Sequence, residues 1–216
     1  MLKTTTHKYS RRDRERLARI ELILDAAEKL FLQKGFGATT MNDIGEAAEF
    51  CRASLYNYFP AKEMIYVSIL ERAMDSLVAE ARKATSQAST ASAKIEALKD
   101  TLLSFVRRRQ AFFHLYFITR SEAGPYLGDD LANRLESKTK ELDNIFHDVF
   151  REGVAKGEFD PRDRMAMGDI FFAQIIGLVM LNKTETLNPP LEANVNQATS
   201  FFLDSIRKKQ GKANAK

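Results

Sequence analysis

The residues with the most distinctive chemistry lie in a short stretch, residues 39–62, with the sequence TTMNDIGEAAEFCRASLYNYFPAK. Arg52 presents a planar fork of N–H donors that matches a phosphate or the edge of a guanine base. Ala53 and Ser54 beside it are small enough to let a helix approach base edges closely. This trio favours a contact with the major groove of double-stranded DNA.

Three further side chains extend the same chemistry. The hydroxyl groups of Tyr56 and Tyr58 can donate hydrogen bonds to phosphate oxygens, and Lys62 adds a cation close to the start of a helix. Each also has an ordinary structural interpretation, the tyrosines as half-buried packing residues and Lys62 as a solvated charge. Because these residues occur together at this spacing, the nucleic-acid interpretation is favoured.

The element that must position these side chains is a helix-turn-helix. Thr40 stands three residues before Asp43, which is the spacing of a capping box at a helix start. A second short helix is predicted from about Cys51 to Tyr58, and Pro60 ends it. Apolar residues that can fix the angle between the two helices are Ile44, Ala48, Phe50, Leu55 and Phe59. In such a motif the first helix braces against the DNA backbone while the second enters the major groove.

Helical periodicity continues along the rest of the chain, so the predicted fold class is all-α. The first helix has apolar residues three and four apart from Leu17 to Phe31, and Gly35 is its predicted stop. Asp160 and Pro161 have the pattern of a helix start. Further helices are expected at about 62–84, 94–108, 110–122, 129–156, 162–183 and 191–209, with a polar loop or frayed helix end at 85–92.

The composition is that of an ordinary globular protein, with 44% hydrophobic and 29% charged residues among 216, which argues against disorder. The net charge of +4 is unevenly distributed. Residues 1–20 carry seven basic and two acidic residues, whereas residues 21–62 carry four basic and six acidic residues. We expect either a basic arm that adds phosphate or minor-groove contacts, or a solvated tail.

An enzyme has little support in the sequence, and neither a metal nor a cofactor is expected. His7, His114 and His147 lie far apart and lack the spacing of a metal-binding motif. No glycine-rich phosphate loop or nucleophile elbow is recognised. Cys51 cannot form an internal disulfide, no signal peptide is recognised, and the most apolar stretch is too short to cross a bilayer. A cytoplasmic protein without a membrane partner is therefore expected.

The motif resembles that of the TetR family of bacterial transcriptional regulators over roughly residues 16–70. The matching residues are Gly35-Phe36, Thr39-Thr40-Met41, Asp43-Ile44, Leu55-Tyr56-Asn57-Tyr58-Phe59 and Lys62-Glu63. In that family an N-terminal three-helix domain binds half of an operator, and a C-terminal helical domain dimerises and binds an inducer. The resemblance implies phosphate or base contacts by Thr40, Arg52, Ala53, Ser54, Tyr56, Asn57, Tyr58 and Lys62.

The chain departs from the family pattern just before the second helix of the motif. The family commonly has Ala-Gly-Val-Ser there, and this chain has Ala48-Glu49-Phe50-Cys51. Glu49 replaces the glycine, so it must adopt an unfavourable backbone angle unless the turn has another geometry. Cys51 replaces a serine that caps the helix, and a thiol is a poor cap. An inert Cys51 is favoured over a redox sensor, because no second cysteine can resolve an oxidised form.

Aromatic residues are frequent in the C-terminal two-thirds of the chain. At helical spacing they most simply form a core, but they can also line an apolar cavity for a small molecule. The candidate ligand-binding residues are Phe105, Phe112, Tyr116, Phe146, Phe150, Phe171 and Gln174. Their chemistry favours an apolar or amphipathic inducer.

The last two helices have the composition of an interface. Asp169–Leu181 is apolar on nearly every face, so neighbouring elements must cover it on all sides. A second apolar stripe consists of Val195, Ala198, Phe202 and Ile206. The resemblance implies that these helices pair with their twofold mates in a homodimer, and an internal core of a monomer is the alternative.

We therefore predict a DNA-binding domain with a basic N-terminal arm at residues 1–62, a ligand-binding and dimerisation domain at 63–210, and a tail at 211–216. The expected function is that of a ligand-responsive repressor that binds a pseudo-palindromic operator as a homodimer and is released by a small inducer. The alternative is a ligand-independent DNA-binding or scaffold protein with a packed C-terminal domain that binds no ligand.

Overall fold

In the computed structural model the chain folds into helices, and the all-α prediction is confirmed. The structure describes residues 10–119, 123–161, 166–182, 188 and 190–207. These residues include no β-strand, and Phe159 forms an isolated β-bridge with Arg207. Among the helices that the structure describes, none has the length and apolar character needed to cross a membrane.

Four helices form the N-terminal part: α1 (Arg11–Ala38), α2 (Met41–Ala47), α3 (Arg52–Tyr56) and α4 (Lys62–Gln87). α1 begins at a capping box, in which Ser10 and Asp13 satisfy each other's backbone N–H groups. Gly35 has φ 82° and ψ 163° and breaks the helical path of α1 at the predicted stop. Glycine adopts this conformation without the steric cost that a Cβ atom would add.

Five helices follow in the C-terminal part: α5 (Ala91–Arg108), α6 (Gln110–Phe113), α7 (Asp129–Ala155), α8 (Ala166–Asn182) and α9 (Leu191–Ile206). A π-helical segment at His114–Thr119 follows α6 directly. A short 3-10 helix at Gly124–Tyr126 precedes α7.

Several predicted helix bounds need correction. α4 continues to Gln87, beyond the predicted end near residue 84. α5 starts at Ala91 rather than residue 94, because the Thr90 hydroxyl caps it by accepting a 3.1 Å hydrogen bond from the Ala93 N–H. The predicted continuous α-helix at 110–122 is wrong, since π-helical structure begins at His114. The predicted helical residues 120–122, 162–165, 183, 208 and 209 and the tail at 211–216 lie outside the described residues.

The chain forms two compact units. The first comprises Met1–Arg72 and Ala111–Leu135, and the second comprises Ala73–Gln110 and Glu136–Lys216. The segment around the π-helix thus belongs to the unit that contains the helix-turn-helix. The division into functional domains at residue 62 stays a prediction, because it concerns what each part binds.

The core of the first unit is aromatic. The ring centroids of Phe31 and Phe36 in α1 are 5.4 Å apart, and the ring of Tyr66 in α4 lies 5.3 Å from that of Phe36. All three side chains are fully buried. The Tyr66 hydroxyl donates a 2.8 Å hydrogen bond to the carbonyl oxygen of Leu115 in the π-helical segment. These contacts join α1, α4 and the π-helical segment.

Arg72 links α4 to α1 at the edge of this core. Its guanidinium lies 2.7 Å from carboxylate oxygens of Glu21 and Asp25 and 2.8 Å from one of Glu28. The three acidic residues follow one face of α1, because they are spaced four and three residues apart. The planar fork of Arg72 can therefore bind all of them from a single position on α4.

The second unit has a separate aromatic core. The ring of Phe171 in α8 lies 6.0 Å from Phe146, 6.1 Å from Phe150 and 5.3 Å from Phe202. Phe146, Phe150 and Phe171 are almost completely buried. Aromatic contacts therefore hold α7, α8 and α9 together within this unit.

Candidate nucleic-acid interface

The first helix of the motif, α2, begins at the predicted capping box. The Thr40 hydroxyl oxygen accepts a 3.2 Å hydrogen bond from the Asp43 N–H, and the Asp43 carboxylate accepts a 2.7 Å bond from the Thr40 N–H. Lys34 lies 2.7 Å from the same carboxylate. Lys34, and after it Thr40, lower the pKa of Asp43 well below its usual range. The charged carboxylate thus fixes the start of α2.

The turn between α2 and α3 has the backbone conformation that glycine usually supplies. Glu49 has φ 61°, and among the described residues it is the non-glycine residue with a positive φ. The Phe50 N–H closes the turn with a 2.8 Å hydrogen bond to the Gly45 carbonyl oxygen. The expectation that Glu49 adopts an unfavourable angle is therefore confirmed, and such a conformation costs on the order of 1–3 kcal/mol.

Close approach also explains the glycine in α2. A Cβ atom at Gly45 would lie 3.1 Å from the carbonyl oxygen of Phe50. The same Cβ atom would lie 3.6 Å from the buried Leu55 side chain of α3. A side chain at residue 45 would therefore push the turn and α3 away from α2, so Gly45 sets the distance between the two helices.

The second helix, α3, separates the predicted contact residues from the packing residues. Leu55 and Phe59 are buried, as is Ile44 of α2, whereas Ala48 and Phe50 are half-buried. The outer face exposes Arg52, Ala53, Tyr56 and Asn57, and Ser54 is half-buried. α3 therefore presents a polar face that its buried residues hold in a fixed orientation.

Two residues on this outer face contact each other. The Cζ atom of Arg52 lies 5.7 Å from the ring centroid of Tyr56, one helical turn further along. A guanidinium over an aromatic ring is attracted by the electrons of the ring face. The pair restricts two long side chains that would otherwise be mobile at the centre of the exposed surface.

Cys51 occupies the capping position of α3 without capping it. Its side chain makes no hydrogen bond to the first turn of the helix. The thiol is exposed, and the sequence expectation of a poor cap is confirmed. α3 is therefore stabilised mainly by the burial of Leu55 and Phe59 rather than by its own N-terminus.

Tyr58 contacts α1 as well as the motif. Its ring lies 5.8 Å from Phe50 in an edge-on arrangement and 5.2 Å from the Cζ atom of Arg16. Its hydroxyl oxygen is 3.5 Å from Nη1 of Arg19. The packing interpretation of this half-buried tyrosine therefore has direct support. The contacts of Arg16 and Arg19 with the motif were not predicted from the sequence. The signal in the sequence was the spacing of Arg12, Arg16 and Arg19, which are four and three residues apart and so share one face of α1.

Lys62 lies at the end of α1, where three backbone carbonyls converge. Its Nζ atom donates hydrogen bonds to the carbonyl oxygens of Phe36 at 2.8 Å, Thr39 at 2.9 Å and Gly37 at 3.3 Å. An ammonium group has three N–H donors, so these acceptors match its full capacity. The phosphate contact by Lys62 stays a prediction, and the geometry gives the residue a structural role beside it.

The predicted ligand-binding residues fall into both compact units. Phe112 and Tyr116 belong to the first unit, where their rings stack with centroids 5.4 Å apart. The second unit contains Phe105, Phe146, Phe150, Phe171 and Gln174. The four phenylalanines of the second unit are buried, and these ligand contacts stay predictions.

Two buried polar atoms in the second unit lack a hydrogen-bond partner within the described part of the chain: Nε2 of Gln174 in α8 and Oγ1 of Thr199 in α9. Buried polar groups in folded proteins are nearly always paired with protein, water or ligand. Gln174 was a candidate from the sequence, whereas Thr199 was missed because a threonine in a helical pattern carries no specific signal.

α8 exposes an apolar stripe on the second unit. The exposed residues Ile170, Ala173, Gly177 and Leu181 recur three and four residues apart, so they follow one face. Ile170 is 54% exposed and Leu181 is 50% exposed. Phe201 of α9 is 65% exposed. A Cβ atom at Gly177 would meet nothing within 4 Å. Such apolar surface is typical of an interface.

Comparison with known proteins agrees with this geometry. Residues 23–69 match the family described as bacterial regulatory proteins, tetR family. The repressor KstR2 of Mycolicibacterium smegmatis is 27% identical over 144 residues, which are 67% of this chain and 69% of that protein. The regulator QacR of Staphylococcus aureus is 24% identical over 192 residues, 86% of this chain and 97% of its own.

Solved structures share the fold. The regulator FadR of Bacillus subtilis, crystallised with stearoyl-CoA, has a TM-score of 0.75 at 19% identity, covering 87% of this chain and 99% of its own. The match therefore includes the C-terminal helices as well as the helix-turn-helix. The chain is thus similar to the bacterial regulatory proteins of the tetR family, in sequence over residues 23–69 and in fold over most of its length.

Proposed function

We propose that this regulator is a ligand-responsive repressor that acts in the cytoplasm. It binds a pseudo-palindromic operator as a homodimer, and a small apolar or amphipathic inducer releases it. The observation that carries the proposal is the exposed polar face of α3, which buried Leu55 and Phe59 hold in place. A helix of this kind fits the major groove.

In this proposal the residues of α3, together with Asn57 directly after it, have different roles in DNA recognition. Arg52 and Asn57 have the donor and acceptor groups that discriminate guanine and adenine in the major groove. Ala53 and Ser54 permit the close approach that such contacts need. Tyr56 directs its hydroxyl to a phosphate and supports Arg52 through the ring contact at 5.7 Å.

The other predicted contacts lie at the edges of this surface. Thr40 is exposed at the N-terminus of α2, where backbone N–H groups favour a phosphate, although its hydroxyl also donates a 2.7 Å hydrogen bond to Asp43. Tyr58 and Lys62 have internal partners described above. Their role in the proposal is to hold α1 and α4 beside the motif. Tyr58 adds a phosphate contact through its hydroxyl, and Lys62 binds a phosphate only in exchange for one of its three carbonyl acceptors.

Homodimerisation through α8 and α9 explains the uncovered apolar stripe. Ile170, Leu181 and Phe201 would lose their contact with water on association, which is the main favourable term in such interfaces. The open space at Gly177 suits the close approach of a partner helix. A twofold dimer presents two copies of α3 to two half-sites, as a pseudo-palindrome requires.

An inducer with an apolar body and a polar group fits the second unit. Gln174 and Thr199 carry buried polar atoms that a ligand can satisfy, beside a core rich in phenylalanine. KstR2 of Mycobacterium tuberculosis is a ketosteroid transcriptional regulator, and FadR of Bacillus subtilis was crystallised with stearoyl-CoA. Both molecules are amphipathic, so a ketosteroid and stearoyl-CoA are the first probes.

The alternative is a regulator whose packed C-terminal core binds no ligand. The ring contacts of Phe171 with Phe146, Phe150 and Phe202 favour it, because each is within 6.1 Å. Thermal unfolding of the full chain with each probe separates the two functions. A rise in melting temperature that Gln174→Leu abolishes supports an inducer site, whereas no ligand bound and no small molecule co-purified supports the alternative.

The DNA-binding part is tested by selecting fragments from a genomic library with the full chain. The proposal predicts enriched fragments that share an inverted repeat, and Arg52→Ala should lose the enrichment. Arg82→Ala is the matched control, because Arg82 is an exposed arginine of α4 in the second unit. Equal recovery of all fragments by the wild-type chain contradicts the proposal.

A further inference from the structure

The charge of the helix-turn-helix does not suit DNA. Residues 39–62, which contain the motif, have three acidic and two basic residues, a net charge of −1. Binding to a duplex depends on cations that displace the counterions of the phosphates. α3 itself contributes Arg52 alone. Another element beside the motif must therefore supply positive charge if the chain binds DNA.

The N-terminal half of α1 has that charge. Residues 10–20 contain five arginines and two acidic residues, and all five arginines are exposed. An α-helix turns by about 100° per residue, so these arginines divide between two faces. One face carries Arg12, Arg16 and Arg19, and the other carries Arg11 and Arg14.

Contacts with Tyr58 show which face turns toward the motif. Arg16 lies over the ring of Tyr58 at 5.2 Å, and Arg19 approaches its hydroxyl at 3.5 Å. On the other face Arg11 pairs with Glu15 at 2.8 Å, which offsets its charge. The face with Arg12, Arg16 and Arg19 therefore borders the C-terminal end of α3.

We propose that Arg16 and Arg19, held in place by Tyr58, bind phosphates of the DNA duplex beside the base pairs that α3 contacts. The inference rests on the proposed function and extends its interface from α3 to α1. An arginine stacked on a ring uses the face of its guanidinium, and the N–H groups at the edge still point outward to a phosphate. Tyr58 is then a positioning residue for both cations.

The test compares two double variants of the full chain that remove the same charge from the same helix. Arg16→Gln/Arg19→Gln alters the face beside Tyr58, and Arg11→Gln/Arg14→Gln alters the other face. Fluorescence anisotropy with a labelled 30-base-pair duplex measures affinity across a range of salt concentrations. The duplex is a fragment enriched by the wild-type chain or, failing enrichment, one of arbitrary sequence.

The inference predicts that Arg16→Gln/Arg19→Gln makes the negative slope of log affinity against log salt shallower by about 1.8, since each phosphate contact contributes about 0.9 to its magnitude. Arg11→Gln/Arg14→Gln should leave the slope within about 0.5 of the wild-type value. Equal changes in the two variants, or an unchanged slope in both, overturn the inference while the proposed function stands. A wild-type chain that binds no duplex overturns both.

A second pair of variants tests the role of Tyr58. Tyr58→Phe keeps the ring under Arg16, whereas Tyr58→Leu removes it. The inference predicts a loss of DNA affinity of about tenfold, with a shallower salt dependence, for Tyr58→Leu, and a clearly smaller loss for Tyr58→Phe, which removes the hydroxyl alone. Equal losses in the two variants show a direct phosphate contact by the hydroxyl and contradict the positioning role.

Anionic membranes are the other polyanion that an arginine face can bind. Vesicles with 30% phosphatidylserine therefore serve as a competing probe for the same variants. The inference predicts no vesicle binding that depends on Arg16 and Arg19. Vesicle binding that Arg16→Gln/Arg19→Gln abolishes, together with an unchanged DNA salt slope, assigns the face to a membrane surface and overturns the inference.

Discussion

The ammonium group of Lys62 lies 4.4 Å from the ring centroid of Phe36 and donates a 2.8 Å hydrogen bond to the carbonyl oxygen of the same residue. The contact joins the first residue of α4 to the end of α1. Its chemistry is that of a helix C-terminus, where unpaired carbonyl oxygens attract a cation. Lys62 therefore stabilises the unit that contains α3.

Substitution Lys62→Met should lower the free energy of unfolding by about 1–3 kcal/mol, because the charge-assisted hydrogen bonds to Phe36, Gly37 and Thr39 are lost. Urea denaturation measures the effect. Lys83→Met is the control, since Lys83 is an exposed residue of α4. Full stability of Lys62→Met with a large loss of DNA affinity would instead make Lys62 a phosphate contact.

Substitution Glu49→Gly should raise the free energy of unfolding by about 1 kcal/mol, because glycine adopts φ 61° without strain. The matched control is Glu46→Gly, which removes the same charge from the last turn of α2. There glycine should cost about 1 kcal/mol. The same sign of change in the two variants would contradict the strain assigned to Glu49.

Asp43 makes stability depend on pH, since Lys34 and Thr40 lower its pKa in the folded chain. The pKa of an aspartate in the unfolded chain is about 4, and a lower pKa in the folded chain stabilises the fold at any pH above that value. This stabilisation is lost as the pH falls from about 4 toward the pKa of Asp43 in the folded chain. Asp43→Asn should therefore be less stable than wild type at pH 7.

The difference between Asp43→Asn and wild type should shrink as the pH falls from about 4 toward 2. Urea midpoints at a series of pH values measure it. Glu46→Gln, on the same helix, is the control for the loss of one exposed carboxylate. A difference that stays constant across this range would show that Asp43 acts without its charge.

Substitution Gly177→Leu should weaken the proposed homodimer without unfolding the protomer, because a Cβ atom there meets nothing within 4 Å in the single chain. Overpacking costs about 1–3 kcal/mol per site and acts twice in a twofold interface, so dimer dissociation should increase about 30-fold or more. Sedimentation equilibrium measures it, with Gly124→Leu as control. An unchanged dimer would place the interface elsewhere.

The fold was predictable where the sequence contains local signals. The capping box of Thr40 and Asp43, the break in the helical path at Gly35 and the strained turn at Glu49 each depend on a few adjacent residues, and all three are observed. The π-helix at His114 was not predictable. Each hydrogen-bonded turn of a π-helix contains one residue more than a turn of an α-helix, and this difference leaves no recognisable periodic pattern of apolar residues in the sequence.

The residues of the candidate nucleic-acid interface could be predicted from the sequence, but the contacts that these residues make within the fold could not. The outer face of α3 follows from the burial of Leu55 and Phe59. The partners of Tyr58 and Lys62 come from α1, 39 residues away for Arg19 and 26 for Phe36. Such distant contacts depend on tertiary packing, which helical spacing alone does not specify.

The most direct test of the account is the affinity of the full chain for an enriched fragment relative to the same fragment with its inverted repeat scrambled, at one fixed salt concentration. Specific recognition by α3 predicts a ratio of about 10³ or more, with half-sites centred about one helical turn of DNA or a multiple of it apart. A ratio near one would contradict sequence-specific binding through α3.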